Sequence, residues 1–402
     1  MLRPVAVLLL GAVAACTARS AAEAPAKDYL YLWTASADTT QPDFLAVLDV
    51  TEQDSGRYGR LVTTLPVPGR TNVPHHTEHE MPADGQLFVN GYKSGTSFVM
   101  DLRAPAAPRI AATFGDVEGY SHPHSYLRLP NGNVLATFQT THANGRKRAG
   151  GLVELTPAGQ PVRSSSADNP TADSSLRVYS AAIVPSLDRI VSTSTDMMPG
   201  PEEASRTLQV WRLSDRTLLR PITLPGPNGT LSAEPRLMDD GRTVLVSTFS
   251  CGLFIIDSLA SDAPQARQVA SFPQKADESC AIPAIVGRFY LVTVPAWSAV
   301  VSLDISNPNA PREVGRVAFD ATDVPHWISV SPDRKRVVVT GYATMEHTVQ
   351  ILRFDATTGR LALDTRFREE GATASGFRMT NKQWPHGGSA AGIPHGAVFS
   401  RR

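Results

Sequence analysis

Short runs of apolar and β-branched residues, separated by turn signals, recur along the chain. The clearest set lies between positions 325 and 363, where PHWISVSP, RKRVVVTGY, TVQILRFD and LALDTRF follow one another. Pro-Asp, Gly-Tyr and Thr-Gly signals separate these runs, whose composition is typical of strands. The pattern predicts an up-and-down sheet of four strands, which would have two open edges and be a poor independent fold.

The same pattern repeats at the period of a propeller blade. Aligned on the turn between the first and second strands, six blocks place the following residues at one equivalent position: His76, His124, Tyr179, Ala233, Cys280 and His326. These positions are separated by 46 to 55 residues. Four strands at this period predict an all-β propeller.

The two chain ends complement each other. The opening fragment, YLYLWT, DFLAVLDV and GRLVTTLPV, has three strands, whereas the closing segment IPHGAVFS has one. We expect the C-terminal strand to pair with the N-terminal blade, which closes a ring of seven blades and removes the last free edge. Residues 29–402 would then form one domain, although the length alone suggests two or three.

The first 28 residues are predicted to be a targeting segment followed by a short linker. MLRPVAVLLLGAVAAC has a basic residue and an apolar run that is too short for a permanent membrane helix but fits a secretory signal. Val-Ala-Ala-Cys resembles a bacterial lipobox, which implies lipidation at Cys16; cleavage further along the Ala-rich stretch is the alternative. We expect a periplasmic protein, either lipid-anchored to the membrane or soluble.

Charge and cysteine content restrict the partners and the compartment. The 38 basic and 38 acidic residues balance, which argues against a nucleic-acid partner; we expect a monomer that binds a small molecule. Cys251 and Cys280 are predicted on the same face of neighbouring blades. In an oxidising periplasm they could form a disulfide, and a free thiol at the channel mouth is the alternative.

Histidines at the repeat position suggest a metal site. His76, His124 and His326 each precede a proline by six residues in the first strand of a blade, and His395 opens the closing strand. First strands line the channel, so these imidazoles should converge, and His75 could replace or join His76 because neighbours alternate across a strand. All-nitrogen ligation favours copper, with zinc second. Alternatively, each histidine is a turn device that hydrogen-bonds a neighbouring blade.

Other residues near this position could assist. The five remaining histidines are expected in segments on the same face: His79, His122, His142, His347 and His386. Glu78, Glu80 and Glu234 could orient ligands or act as bases, or could be solvated loop charges. We assign His76, His124 and Glu78 as candidate catalytic residues.

Four stretches resemble the selenium-binding protein family, which includes the methanethiol oxidases. They are DFLAVLDV with YGRLV, PHHTEHE leading to LFVNGYKSGTSFVMDL, PHSYLRLPNGNVLATFQ with AGGLVEL, and the ending WPHGGSAAGIPHGAVFS. The resemblance implies a seven-bladed propeller and, for its oxidase members, copper-dependent oxidation of methanethiol by O₂ to formaldehyde, hydrogen sulfide and hydrogen peroxide. The histidines that match the family are His75, His76, His124, His326 and His395.

The chain departs from the family at one point. Members that bind selenium have a cysteine shortly after the His-His pair, and this chain has none between Thr77 and Pro82. The resemblance therefore does not imply selenium binding through such a thiol. Two functions stay open at this stage: a copper-dependent oxidase, and a non-catalytic propeller that binds a metal or a partner on the cell envelope. A lactonase-like hydrolase would require more carboxylates in the channel.

Overall fold

The computed structural model describes residues 27–54, 56–143, 146–168, 176–197, 205–275, 279–320, 324–341, 348–380 and 382–401. Within these ranges the chain forms seven antiparallel sheets, six with four strands and one with five. Cys16 and the predicted signal segment lie outside the described residues. No helix in the described part of the chain is long and apolar enough to cross a membrane.

Blade 1 is built from both ends of the chain. It contains β1 (Tyr29–Ser36), β2 (Phe44–Asp49) and β3 (Arg60–Pro66), and its innermost strand is the C-terminal β29 (Gly392–Phe399). The pairing of β29 with β1 runs from Leu30 opposite Phe399 to Ser36 opposite Gly392. The predicted closure is therefore confirmed.

Blades 2 to 4 follow in chain order. Blade 2 comprises β4 (Pro74–Thr77), β5 (Gln86–Gly91), β6 (Thr96–Asp101) and β7 (Arg109–Phe114). Blade 3 comprises β8 (Tyr120–Arg128), β9 (Val134–Ala143), β10 (Arg146–Leu155) and β11 (Pro161–Ser166). Blade 4 comprises β12 (Val178–Val184), β13 (Arg189–Ser194), β14 (Thr207–Arg212) and β15 (Leu218–Thr223), with a 3-10 turn at Pro185–Leu187.

Blades 5 to 7 complete the ring. Blade 5 has β16 (Ser232–Leu237), β17 (Val244–Thr248), β18 (Gly252–Asp257) and β19 (Gln265–Ser271), preceded by a 3-10 turn at Pro227–Gly229. Blade 6 has β20 (Ala281–Val286), β21 (Phe289–Val294), β22 (Ala299–Asp304) and β23 (Arg312–Ala318), with a 3-10 turn at Pro295–Trp297. Blade 7 has β24 (Pro325–Val330), β25 (Arg336–Gly341), β26 (Thr348–Phe354) and β27 (Leu361–Leu363), and β28 (Phe377–Arg378) pairs with β26.

Burial explains why each run of residues adopts its strand. Middle strands such as β2 and β17 are buried throughout, because blades cover both of their faces. Outermost strands such as β7 alternate between exposed and half-buried positions, as expected for an edge strand that faces solvent on one side. Apolar clusters between neighbouring blades form the core; one of them joins Tyr31 and Leu45 of blade 1 to Leu87 and Phe98 of blade 2.

The inner strands surround one axis in the order β4, β8, β12, β16, β20, β24 and β29, and β29 contacts β4 again. They all begin at the same face of the ring, here called the start face, and end at the opposite end face. Side chains at equivalent positions of these strands therefore meet around the axis. This arrangement places the predicted histidines at one level of the channel.

The closure between blades 7 and 1 is reinforced by buried polar contacts. Arg336, only 2% exposed, pairs with Asp28 at 3.0 Å and donates to the Val50 carbonyl oxygen at 2.7 Å. The indole nitrogen of Trp327 donates to the carbonyl oxygen of Ala397 on β29 at 3.0 Å. Two guanidinium nitrogens of Arg336 and the Trp327 indole thus have acceptors across the seam, which offsets part of the cost of burying them, whereas Arg336 Nε has no hydrogen-bond partner among the described residues.

Candidate metal centre

Every inner strand changes its pairing register at one equivalent place. In β4, Pro74 pairs with Gly91 and Thr77 pairs with Val89, so three steps on the inner strand match two on its partner. The same extra residue occurs in β8, β12, β16, β20, β24 and β29. Such a β-bulge breaks the alternation of side chains and re-aims them, which is why bulges often occur beside functional sites.

Each bulge contains one or two residues between the paired positions. They are His75 and His76 in β4, His124 and Ser125 in β8, Tyr179 and Ser180 in β12, Ala233 and Glu234 in β16, Ile282 and Pro283 in β20, His326 in β24, and His395 and Gly396 in β29. The register corrects the sequence alignment in blades 2 and 6. In blade 2, His75 follows the paired Pro74 as His124 follows the paired Pro123, so His75 rather than His76 is equivalent to His124. In blade 6, Ile282 holds the equivalent position, and Cys280 lies two residues before it, ahead of the strand.

The structure brings the five predicted histidines together. One ligand nitrogen from each of His75, His76 and His124 lies within 4.8 Å of the others. The His395 ring lies 4.0 Å from that of His75, and His326 contacts His395 with ring centroids 4.6 Å apart. His76, His124 and His395 are fully buried, whereas His326 is half-buried.

Both members of the His-His pair belong to the cluster. The rings of His75 and His76 stack at 4.5 Å, and they lie 4.9 and 4.2 Å from the His124 ring. Regular strand alternation would have sent one of them away from the axis. The bulge between Pro74 and Thr77 allows both to turn inward.

Hydrogen bonds determine which nitrogen His124 presents. Its Nδ1 lies 2.8 Å from the carbonyl oxygen of Tyr179, which can only accept, so Nδ1 carries the proton. The Nε2 atom is then the one with a lone pair. It is buried and has no hydrogen-bond partner among the described residues. A metal ion would satisfy this nitrogen, so the donor set fits an imidazole-bound metal.

A single hydroxyl group connects two of these rings. Ser125 Oγ lies 3.1 Å from Nδ1 of His124 and 3.1 Å from Nδ1 of His76. The other nitrogen of His76, Nε2, lies 3.2 Å from the phenol oxygen of Tyr179. The His76 backbone N–H donates to Asn90, whose amide donates to the Pro123 carbonyl oxygen. These contacts hold β4 and β8 at a fixed separation.

Burial keeps the imidazoles neutral. Desolvation, with smaller contributions from neighbouring histidines, holds the pKa of His75, His76 and His395 well below the usual value. Desolvation also lowers the pKa of His124 to about 3 and that of His326 to about 4. Neutral imidazole is the form that binds metal ions, so the rings need not lose a proton at neutral pH.

The acid that contacts the cluster is Glu234. Its side chain is fully buried, and Oε1 lies 3.9 Å from Nδ1 of His76 and accepts no hydrogen bond within the described part of the chain. Its other oxygen accepts from Ser180 Oγ at 2.7 Å and from Arg236 at 2.6 Å. Glu234 is therefore held in place by one oxygen and faces the histidines with the other.

Glu78, the predicted catalytic acid, is bound elsewhere. Arg128 contacts both of its oxygens, at 2.6 and 3.1 Å, and the Phe88 N–H donates to it at 2.9 Å. Burial raises the pKa of Glu78 to about 7, which Arg128 opposes. Glu80 is exposed. A catalytic role for Glu78 stays a prediction.

Sequence reasoning placed His79 on the wrong face. His79 follows β4, so it lies in the connection to β5 at the end face, where its ring stacks on Trp327 at 4.6 Å. Arg236 donates to its Nε2 at 2.9 Å, and its ring lies 6.5 Å from that of His76. His79 also lines a cavity of about 360 Å³ at the end face. Its position three residues after His76, beyond the end of the inner strand, could have indicated the end face.

The other histidines lie outside the cluster or outside the described side chains. Nδ1 of His386 hydrogen-bonds Thr64 at 2.8 Å, and its ring packs against Phe44 in blade 1. His122 lies in β8, two residues before His124, with a left-handed φ of 58°. The His142 side chain and His347 are not among the described parts of the chain.

The two remaining cysteines form a disulfide. It joins Cys251, between β17 and β18, to Cys280, just before β20, with a Cα–Cα distance of 5.0 Å. Both residues are buried in the apolar cluster between blades 5 and 6. The bridge therefore links two neighbouring blades on the side of the ring that has no histidine at its bulges.

Comparison with known proteins gives a fold relationship. No protein-family model matches this sequence, and no curated protein matches it. A hypothetical selenium-binding protein from Sulfolobus tokodaii superposes with a TM-score of 0.75 at 17% identity, covering 94% of each chain. The chain shares the propeller fold of that protein. The predicted resemblance is thus supported at the level of the fold.

Lactonase propellers show the same architecture. The periplasmic gluconolactonase of Pseudomonas aeruginosa superposes with a TM-score of 0.64 at 12% identity, covering 94% of this chain and 99% of the other. A putative 6-phosphogluconolactonase from Bacteroides fragilis gives 0.62 at 9% identity, covering 93% and 98%. At identities this low the comparison shows a shared fold, and function has to be argued from the residues of the site.

Proposed function

We propose that this protein binds copper at the axial histidines and oxidises methanethiol or a related small thiol with O₂. The observation that carries the proposal is the buried group of His75, His76 and His124, whose ligand nitrogens lie within 4.8 Å of one another. Three neutral imidazoles at this separation are a donor set that suits copper, and zinc is the second choice. His395 and His326 extend the same group toward blade 7.

Residues around the cluster have defined roles in this proposal. Bound copper would supply the electron exchange with O₂. The Tyr179 carbonyl oxygen and Ser125 Oγ hold His124 so that Nε2 faces the site. Glu234 Oε1, 3.9 Å from Nδ1 of His76, is placed to take up a proton that passes through that ring.

The overall reaction balances with one water molecule. Methanethiol, O₂ and H₂O give formaldehyde, hydrogen sulfide and hydrogen peroxide, with the thiol carbon oxidised and O₂ reduced by two electrons. Apolar residues on the side of the channel opposite the histidines, including Ala233, Phe249 and Ile282, would accommodate a small apolar group.

We further propose export to the periplasm, with lipid attachment at Cys16.

A non-catalytic metal-binding propeller is the second candidate. The observation that favours it is burial: the side chains of His76, His124 and His395 have no solvent exposure. On the end-face side, His79 stacks on Trp327 and hydrogen-bonds Arg236 beside the cluster. A metal that only has to be held gains from such enclosure, whereas a catalytic metal must keep a position open to substrate.

Metal analysis of purified variants tests both candidates. Wild-type protein loaded with copper should retain one ion per chain after dialysis, and His124→Ala should weaken copper binding by at least about 100-fold. His386→Ala is the matched control, because this histidine bonds Thr64 outside the cluster and should bind copper normally. Equal copper binding by His124→Ala and wild type would contradict the proposed site.

Oxygen consumption separates the two candidates. With methanethiol, copper-loaded wild type should consume O₂ and release hydrogen sulfide and hydrogen peroxide in equal amounts, and His124→Ala should not. A protein that binds copper through His124 yet consumes no O₂ with any small thiol would be a binding protein, as in the second candidate.

A further inference from the structure

Tyr179 lies beside His124, the last histidine of the cluster in the order of the blades. It holds the bulge position of β12, next in the ring after His124, and its side chain is fully buried. The ring lies 4.0 Å from that of His124 and 5.5 Å from that of His76. Glu234, at the bulge of blade 5, also approaches His76, with Oε1 3.9 Å from Nδ1 of that ring.

Two different atoms of Tyr179 engage two different histidines. Its carbonyl oxygen accepts a hydrogen bond from the Nδ1–H of His124 at 2.8 Å, and Nε2 of that ring therefore faces the site. Its phenol oxygen lies 3.2 Å from Nε2 of His76. Since Nδ1 of His76 already contacts Ser125 Oγ, the phenol oxygen stands on the side of the ring where a metal ligated by Nε2 would be.

The separation of these two atoms fits two ligands of one ion. Donors about 2.0 Å from a tetrahedrally coordinated ion lie roughly 3.3 Å apart, because the angle between them is about 109°. The 3.2 Å between Tyr179 Oη and His76 Nε2 is close to this value, and it is at the long end for a hydrogen bond. The pair therefore needs little rearrangement to hold an ion.

We propose that Tyr179 is an oxygen ligand of the metal centre, together with His76 Nε2 and His124 Nε2. This inference rests on the proposed metal site and adds a donor of a different chemical class. An oxygen donor makes the site harder than imidazole alone, which favours Cu(II) over Cu(I). Cu(II) binding would displace the phenol proton to solvent, and a tyrosinate bonded to Cu(II) produces a charge-transfer band in the visible spectrum, so the assignment can be observed directly.

Copper titration of the metal-free protein tests this assignment. Wild type, Tyr179→Phe, Tyr179→His and His124→Ala are titrated with Cu(II), and the dissociation constant and the visible spectrum are recorded. Tyr31→Phe is the matched control, since Tyr31 is equally buried but packs between blades 1 and 2. Thermal unfolding of each metal-free variant shows whether the fold is retained.

Tyr179→Phe should lose the visible band and bind Cu(II) about 10- to 100-fold more weakly, with Tyr31→Phe unchanged. Tyr179→His should recover affinity without the band, because it restores a donor of another class. An unchanged band and affinity in Tyr179→Phe, with binding lost in His124→Ala, would overturn the Tyr179 assignment and keep the histidine site. Unchanged binding in His124→Ala would overturn both.

Discussion

The two sides of the channel have the same β-bulge in each inner strand but differ in the residues that the bulge contains. The inner strands β24, β29, β4 and β8 form a histidine arc, with His326, His395, His75, His76 and His124 at their bulges. The inner strands β12, β16 and β20 form a histidine-free arc with the same bulge. The bulge is therefore a feature of the fold, and the residue placed in it decides whether a blade contributes chemistry or packing.

Packing on the histidine-free arc supports this reading. Ala233 and Ile282 are fully buried and belong to the central apolar cluster, and the neighbouring blades are linked by the Cys251–Cys280 disulfide. On the histidine arc, the same level of the channel contains polar nitrogen atoms in a desolvated setting. Such groups cost stability unless they are paired or bind an ion. Tyr179 and Glu234 face the histidines from the histidine-free arc. Apart from these two residues, mutations on the histidine arc should change metal binding, and mutations on the histidine-free arc should change stability.

Removing residues 392–402 should have the largest effect, because it deletes β29 from the histidine arc and reopens the ring. The edge of β1 would lose the partner that it pairs with from Leu30 to Ser36. We expect loss of cooperative unfolding and aggregation at low concentration, measured by circular dichroism and size-exclusion chromatography. Removing only the last two residues is the control, and full thermal stability of the longer deletion would contradict the closure.

Removing the disulfide should destabilise the histidine-free arc without affecting metal binding. The bridge closes a loop with a sequence separation of 29 residues, for which chain entropy predicts about 3 to 4 kcal/mol. Denaturant unfolding of Cys251→Ala/Cys280→Ala should show this loss, and its copper affinity should equal that of wild type. A large change in copper affinity would mean that the two arcs are not independent.

The metal-free protein should lose stability in acid because of the histidine arc. The pKa of His326 is lowered to about 4 in the folded chain, against about 6.5 when unfolded, so the unfolded state binds the proton more tightly. The contribution of neutral His326 to the free energy of unfolding is fully present above pH 6.5 and is lost as the pH falls toward 4. The His326→Gln variant should have a shallower pH dependence, by about 1.4 kcal/mol per pH unit over this window.

Urea unfolding at several pH values measures that slope. Ile282→Val, at the equivalent bulge of the histidine-free arc, should keep the wild-type slope. An identical slope in His326→Gln and wild type would show that His326 titrates normally in the folded chain.

A matched pair of threonines should show the smallest and most selective effect. Thr340 donates to the His395 carbonyl oxygen at 2.6 Å, and Thr193 donates to the Ala233 carbonyl oxygen at 2.5 Å. Replacing Thr340 by Val should cost about 1 kcal/mol of unfolding free energy, because a buried hydrogen bond is lost. Thr193→Val should cost more, because Thr193 Oγ1 also accepts from the Ser180 N–H at 3.1 Å. Thr340→Val alone should also weaken copper binding several-fold. Equal copper affinities in the two variants would show that these bonds support the strands and do not position His395.

Several elements of this protein follow from sequence pattern alone. The strand runs, their period and the mismatch of the chain ends predicted a seven-bladed propeller closed by β29, and the structure confirms it. This was possible because burial of whole blades imposes a local apolar pattern that repeats in every unit. The recurrence of histidine at one position likewise predicted that the rings of blades 1, 2, 3 and 7 would meet.

Only the tertiary structure decided how these rings face one another. Alternation along a regular strand predicted one inward residue of the His75–His76 pair, and the bulge turns both inward. Cys280 matched the repeat by residue count but lies outside it by register. Tyr179 and Glu234 became part of the site through contacts across blades, made by residues 103 and 158 positions from His76 in the chain. A bulge and a cross-blade contact depend on hydrogen-bond register between strands, which local sequence does not encode.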